Sequence, residues 1–418
     1  MTRYDTIVIG GGPAGLSAAL KLKAKGFDSL VIESGDRIGG IPLQCIHPGF
    51  GLHYLGEDLT GTEFIHRLIG MVEDQGVEYR VRSHVVRVKP SRTGYPYKRI
   101  EAVSPYGFIE VETPILIYTA GARERTIFEI GVTGERLSGV FTAGEAQAYM
   151  DIFGILPGSR IVIIGSGDVG LIMARRFALE GAKVEAVIEM MPWPGGLTRN
   201  IVQCLLDYDI PLLLSRMVVR LEGKRRVEGV VTVRVDEDLN PIPGSEELIE
   251  CDTVVVSAGL TPNVRLLEGL GLAMDPSTRG PIVDDYLESI TYQGIFIAGN
   301  ALVVNDLVDY VVEQGESAAE GASILLYEGV KPRSYVRITK GRNVRLIVPQ
   351  YLSCEKDAVL YMRVQKPEYD VKVCFEEISR EFRYPVVRPA EMIRLTLRRS
   401  DLEDLRRLDS LTVEVKRV

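Results

Sequence analysis

Residues 5–15, DTIVIGGGPAG, decide the fold. DTIVIG is a short unbroken apolar run, the pattern of a strand buried on both faces of a parallel sheet. It runs straight into Gly10, Gly12 and Gly15 in the spacing G-x-G-x-x-G, and Pro13 and Ala14 lead into a helix over 14–25. Gly10 permits a tight turn, Gly12 lets the backbone approach a pyrophosphate, and Gly15 lets the helix pack closely on the sheet. The helix start then offers unpaired N–H groups and the positive end of its macrodipole to the anion. A second strand, DSLVIE, ends in Glu33, eighteen residues after Gly15 and next to Ser34. That is close to the ~20-residue separation of the acid that hydrogen-bonds a ribose. Glycines alone would read as a turn. Strand, helix and acid around them make a dinucleotide-binding βαβ unit.

The same grammar returns at 160–189. Strand RIVIIG leads to Gly165, Gly167 and Gly170, Asp168 and Val169 open the helix DVGLIMARRFALEG, and strand AKVEAVIE ends in Glu189, nineteen residues after Gly170. A carboxylate there accepts from a ribose 2′-hydroxyl and repels a 2′-phosphate, so this unit favours NAD(H) over NADP(H). Two complete fingerprints predict an α/β fold with two Rossmann-like domains.

The rest of the composition is consistent with small-molecule chemistry. With 418 residues, 46% of them hydrophobic and 25% charged, the chain has enough material for two or three cores. A net charge of −8 argues against nucleic acid or an anionic membrane surface as partner. Apolar runs are strand-length, and no signal peptide precedes the first strand, so no membrane insertion and a cytoplasmic location are expected. Five scattered cysteines, none in a C-x-x-C pair, suit a reduced compartment and offer no metal or iron–sulfur spacing.

Three further segments carry a family resemblance. ILIYTAGARER (115–125), TVVVSAGLTPN (253–263) and GIFIAGN (294–300), taken with the two fingerprints, resemble the two-dinucleotide flavoproteins related to the pyridine nucleotide–disulfide oxidoreductases, over roughly 1–330. The resemblance implies FAD on the first fingerprint and NAD(H) on the second. It also implies an FAD-binding domain made of 1–125 and 255–330 and an NAD-binding domain at 126–254. Gly40, Ala120, Gly121, Gly299 and Asn300 join the FAD site by this resemblance, and Ala258 and Gly259 join the chain's return from the NAD domain. The family's acidic residue that holds the ribityl chain is Asn300 here, which can still make a hydrogen bond. A helix over 306–327, capped by Asn305 or Asp306 and including Leu307 and Val308, is expected to point its start at the flavin, where a positive end favours the reduced anion.

The disulfide chemistry of that family is missing. The segment IPLQCIHPG contains Cys45 alone, and GVFTAGEAQ (139–147) contains no cysteine, whereas disulfide reduction needs two thiols. Cys45 remains open as a single redox thiol of the NADH oxidase or peroxidase kind, or as a small buried hydrophobe. His47 and His53, two of four histidines, lie in the run QCIHPGFGLHYLGEDLTG (44–61), where an imidazole beside a flavin can move protons or hold an anion. Otherwise they anchor the loop.

This run, with GLTRNIVQCLLDYDIPL (196–212) and AGNALVVNDLVDYVVEQGE (298–316), resembles flavoproteins that accompany an anaerobic-type glycerol-3-phosphate dehydrogenase. These are similar in turn to subunits of dye-linked amino-acid and opine dehydrogenases. The resemblance implies an electron-transfer partner, a second flavoprotein or an iron–sulfur protein, in an oligomeric complex. A structural or assembly role is the alternative outside catalysis. From about Lys331 the rhythm changes to alternating strands such as NVRLIV, AVLYMRV, YDVKVCF, EMIRLTL and LTVEVKR, which predict a small all-β domain over 331–418, a sandwich serving as a docking module or a lid.

Overall fold

The computed structural model describes residues 2–91, 96–329 and 334–418. The expected boundary at 330/331 lies outside the described residues. The chain divides into two compact units, 1–122 with 262–418, and 123–261.

In the first unit the fingerprint strand Thr6–Ile9 sits at the middle of a five-stranded parallel sheet. Ser29–Ile32 and Glu78–Arg80 lie on one side, and Ile115–Tyr118 and Ile295–Ile297 on the other. Every residue of Thr6–Ile9, Ser29–Ile32 and Ile115–Tyr118 is buried, as unbroken apolar strands in a doubly covered sheet require. Helix Pro13–Ala24 packs against helix Val308–Glu328. The contact is so close that a Cβ on Gly315 would lie 2.2 Å from both Ala14 O and Ser17 Oγ. Ser17 Oγ donates across it to Val312 O at 3.1 Å.

The second unit repeats this plan. Its parallel sheet runs Val140–Thr142, Thr253–Val256, Arg160–Ile164, Lys183–Ile188, Leu212–Leu213. In both units an antiparallel meander comes before the strand that returns beside the fingerprint. It spans His84–Pro90, Lys98–Ser104 and Gly107–Thr113 in the first unit, and Arg216–Gly223, Val227–Arg234 and Glu247–Glu250 in the second. The fingerprints are thus the visible part of a duplicated strand order, with the outer strand supplied from after the returning strand in the first unit and from before the fingerprint in the second.

After residue 333 a five-stranded and a three-stranded sheet enclose a separate apolar core that includes Leu360, Met362, Val373 and Leu411. The module is all-β, but not wholly antiparallel: Val336–Lys340 runs parallel to Ser410–Arg417. Nor is it a free appendage. Leu346, Val348, Tyr361 and Met392 belong to the core of the first unit's parallel sheet.

Candidate functional site

Which helix starts are left open decides where a ligand can sit. Helices Gly61–Asp74 and Ala143–Asp151 close their own starts with capping boxes, Thr60 with Glu63 and Thr142 with Glu145. The fingerprint helices Pro13–Ala24 and Asp168–Leu179 have glycine at the N-cap and no side-chain cap, and helix Val308–Glu328 has none either. A helix start without a side-chain cap is an arrangement suited to phosphate oxygens.

The glycines around the first start are of two kinds. Gly10 has φ +105°, and a Cβ there would lie 2.5 Å from Thr119 O. One on Gly15 would lie 1.9 Å from Gly10 O. Both are fixed by packing. Gly12 is different, because a Cβ there would meet nothing nearer than Gly40 Cα at 4.0 Å, an ordinary contact and not a clash. A cradle that a side chain would fill, at an uncapped helix start, fits the pyrophosphate of FAD. Glu33 closes the far side. Its Oε2 accepts from Gly11 N at 2.7 Å, and its Oε1 from Gly35 N at 2.6 Å and from Ser34 Oγ at 3.2 Å.

The second unit has the same design. Gly165 has φ +96°, a Cβ on Gly170 would lie 2.7 Å from Ser257 Cβ, and Gly167 meets nothing nearer than 3.8 Å. Glu189 is buried and fully engaged. Its Oε2 accepts from Ser166 N and Oγ (3.0 and 2.6 Å), and its Oε1 from Met191 N (2.9 Å). Asp168 Oδ1 accepts from Leu197 N and Asn200 Nδ2 at 2.8 and 2.6 Å, which ties residues 197–200 to the helix start beside Val169. Ala258 and Gly259 follow strand Thr253–Val256, and their carbonyls accept from Arg125.

Thr119 and Ser257 were not singled out in the sequence, yet each locks its fingerprint turn. Thr119 Oγ1 donates to Ile9 O and Gly10 O, both at 2.9 Å, and Ser257 N donates to Ile164 O at 2.7 Å. The signal was present as the repeated hydroxyl-Ala-Gly after an apolar strand, TAG at 119–121 and SAG at 257–259, which also contains Ala120 and Gly121.

The late segment is arranged differently from the expectation. The helix starts at Val308 with Leu307 at its N-cap, and neither Asn305 nor Asp306 caps it. Asn305 instead turns back to Asn300, whose Oδ1 accepts from Asn305 N at 3.0 Å. Gln314 Oε1 accepts from Gly299 N, also at 3.0 Å. Asp306 is drawn away by Arg363. The carbonyl oxygen of Asn300 is thereby engaged by Asn305. Asp309, in the helix's first turn, was also missed. Its Oδ1 accepts from His53 N and Tyr54 N at 3.0 and 2.8 Å, and its buried Oδ2 has no hydrogen-bond partner.

Asp309 thereby fastens the 44–61 run to the helix start. His53 contributes its backbone to this link while its side chain is exposed. His47 Nδ1 lies 3.0 Å from Pro48 O, with its ring 5.2 Å from that of Phe50. Burial and the neighbouring Glu316 carboxylate push the Tyr54 phenol up to about 12, so it stays protonated at neutral pH. Cys45 is buried. Its Sγ donates to Ile41 O at 3.4 Å, and its Cβ would be 2.6 Å from a Cβ on Gly61. All five cysteines are buried thiols. Among the described residues no group of three or more His, Cys, Asp or Glu is placed to hold a metal, and no helix is long and apolar enough to cross a membrane.

Comparison with known proteins agrees with this geometry. Residues 4–320 match the family model described as pyridine nucleotide-disulphide oxidoreductase. An opine oxidase subunit of Agrobacterium tumefaciens is 26% identical over 315 residues, covering 71% of this chain and 61% of that protein. Hydrogen cyanide synthase subunit HcnB of Pseudomonas protegens is 27% identical over 295 residues, covering 66% and 61%. The matches span about three fifths of the length of these curated relatives, both named as subunits of larger enzymes. The crystal structure of T. acidophilum thioredoxin reductase shares the fold at a TM-score of 0.64 and 24% identity, over 77% of this chain and 98% of that one. Two dinucleotide units of matching topology and a family match over most of the chain lead to one assignment: this chain belongs to the pyridine nucleotide–disulphide oxidoreductase family, whose members are FAD- and NAD(P)H-dependent enzymes.

Proposed function

We propose that this chain carries electrons between NAD(H) and a partner dehydrogenase subunit, with FAD on the fingerprint Gly10–Glu33 and NAD(H) on Gly165–Glu189. The observation that carries this reading is the pair of uncapped, glycine-lined helix starts in a chain whose one cysteine near the first site is buried against Gly61 with no second thiol in its segment. FAD supplies the chemistry when bound, taking a hydride from NADH or returning one to NAD+. The protein's part is to bind and orient. When FAD is bound, Gly12 would leave room for the pyrophosphate, Glu33 would hold the ribose and Asn300 the ribityl chain, and the start of Val308–Glu328 would favour negative charge on the flavin. His47 and His53 are the side chains of the 44–61 run suited to proton handling beside it.

The outlet lies on another chain. The subunit names of the two relatives support a partner subunit, and the resemblance of segments 44–61, 196–212 and 298–316 to flavoproteins that accompany a glycerol-3-phosphate dehydrogenase favours a partner that oxidises glycerol 3-phosphate. The buried state of Cys45 weighs against an autonomous oxidase or peroxidase, since a peroxide-reducing thiolate needs access.

Anaerobic mixing of the purified protein with NADH tests the reading. Bleaching of a bound flavin band by NADH, and more slowly by NADPH, is expected, together with co-purification of a dehydrogenase subunit from the native source. Protein without FAD, or a flavin that NADH leaves oxidised, overturns it. Flavin reduction far slower than turnover of the intact complex gives the chain an assembly role instead. Loss of peroxide-dependent NADH turnover in Cys45→Ser points to the thiol mechanism.

A further inference from the structure

We propose that Arg363, on strand Ala358–Val364 of the C-terminal module, is a positioning residue for the flavin site, setting through Asp306 the turn that leads into helix Val308–Glu328. The inference rests on the reading that FAD occupies the first fingerprint beside that helix start.

The turn is held from two sides. It begins at Gly299, where a Cβ would lie 3.0 Å from Ala14 Cβ, so it abuts the fingerprint helix. From within, Asn300 Oδ1 accepts from Asn305 N, and Gln314 links Gly299 N to Asn305 Oδ1, each at 3.0 Å. From the C-terminal module, Arg363 Nη2 pairs with Asp306 and donates to Val304 O at 3.3 Å. Arg363 Nη1 donates to Pro389 O at 3.1 Å and also to Ala390 O. The second oxygen of Asp306 accepts from Met392 N at 2.6 Å. The Arg363 and Asp306 side chains are only 12% and 10% exposed, so this is a desolvated pair and not a screened surface one. A guanidinium can serve these acceptors together because its donors form a fixed planar fork, which a lysine ammonium lacks.

The helix has no side-chain cap of its own, so the direction of its free N–H groups depends on the turn that feeds it. Arg363 fixes that turn from 57 residues away in sequence. A second tie lies further along the helix, where Glu313 meets Arg394 and Tyr361, and this tie holds the module without touching the turn.

FAD titration of the stripped protein, its thermal unfolding and the flavin midpoint potential are measured for wild type, R363M, R363K, D306N and R394M. R363M and D306N are expected to raise the FAD dissociation constant roughly tenfold or more. They are also expected to lower the potential by about 30 mV for each tenfold by which the reduced form loses more affinity than the oxidised one. R363K restores the charge without the fork and recovers only part of the loss. R394M is expected to lower the melting temperature with the potential unmoved. Wild-type affinity and potential in R363M overturn the proposal, as does a loss of stability in R363M and R394M alike with no change of potential in either. If R363M does not fold, D306N and R363K decide between the same outcomes. Failure of the underlying reading looks different, because FAD is then retained in Gly12→Val whatever Arg363 does.

Discussion

The Glu33 carboxylate accepts the backbone N–H of Gly11 at 2.7 Å, so the acid that the spacing assigns to a ribose also holds the glycine turn in shape. Its other oxygen takes Gly35 N. A hydrogen bond to a charged acceptor contributes about 1.5–3 kcal/mol, toward the lower end at this partly exposed side chain. Glu33→Ala is therefore expected to lower both FAD affinity and the melting temperature of the FAD-free protein. Glu33→Gln, which keeps an acceptor for Gly11, is expected to preserve most of each. Isothermal titration and thermal unfolding of the two variants check this, and unchanged values in Glu33→Ala remove both roles from the residue.

Gly12 and Gly15 separate binding from folding. A Cβ at Gly12 meets nothing nearer than Gly40 Cα at 4.0 Å, so Gly12→Val is expected to give folded protein whose FAD content drops at least roughly tenfold, because the methyls occupy the pyrophosphate strip. A Cβ at Gly15 collides with Gly10 O, so Gly15→Val is expected to lose several kcal/mol, beyond the ~1–3 kcal/mol of ordinary overpacking. Circular dichroism melts beside flavin absorbance distinguish the two variants. A Gly12→Val protein that retains FAD places the cofactor elsewhere.

We propose that Glu189 sets the choice of nicotinamide cofactor. Its oxygens are held by Ser166 and Met191, which fixes the position of the carboxyl group at the end of the second fingerprint strand. Glu189→Ala is expected to move the kcat/KM ratio toward NADPH by at least roughly tenfold, since a like-charge contact with a 2′-phosphate costs several kcal/mol. Steady-state rates with NADH and NADPH measure it. An unchanged ratio means that the 2′-position is read by another group.

Lys98 gives folding stability an alkaline slope. The residue is fully enclosed, with Nζ donating to Pro114 O at 2.6 Å and Gln293 O at 2.9 Å, just before strands Ile115–Tyr118 and Ile295–Ile297. Burial pulls its pKa down to about 7, with the Glu288 charge partly opposing. In the unfolded chain the amine titrates near its ordinary value of about 10.4. Between these values the unfolded state binds the extra proton, so this residue's contribution to stability rises with pH by up to about 1.4 kcal/mol per unit. Below pH 7 it is charged in both states and the cost of burying it is constant. Urea unfolding from pH 6 to pH 9 is expected to show the rise in wild type and to lack it in Lys98→Met. Parallel pH profiles for the two proteins refute the assignment.

Much of the fold was legible because its determinants are local. Strand, glycine turn, helix and acid lie within about thirty residues, and each step follows from side-chain size, backbone freedom and hydrophobic period. The reading weakened where a short stretch offered several hydrogen-bonding choices. Asn305 and Asp306 both looked like helix caps, but Asn300 and Arg363 compete for them, and the helix begins two residues later without either.

The sequence by itself therefore determined that two dinucleotide units exist and which glycines and acids build them, because that information is contained in continuous segments. Tertiary structure alone decided what holds those segments in place. Thr119 locks Gly10 from 109 residues away, Asp309 ties down His53 across 256, and Arg363 reaches Asp306 from a module with a core of its own. No period or spacing encodes such pairs. Each depends on which side chains the packed sheets bring within hydrogen-bonding distance, and on the cost of leaving a buried polar group without a partner there.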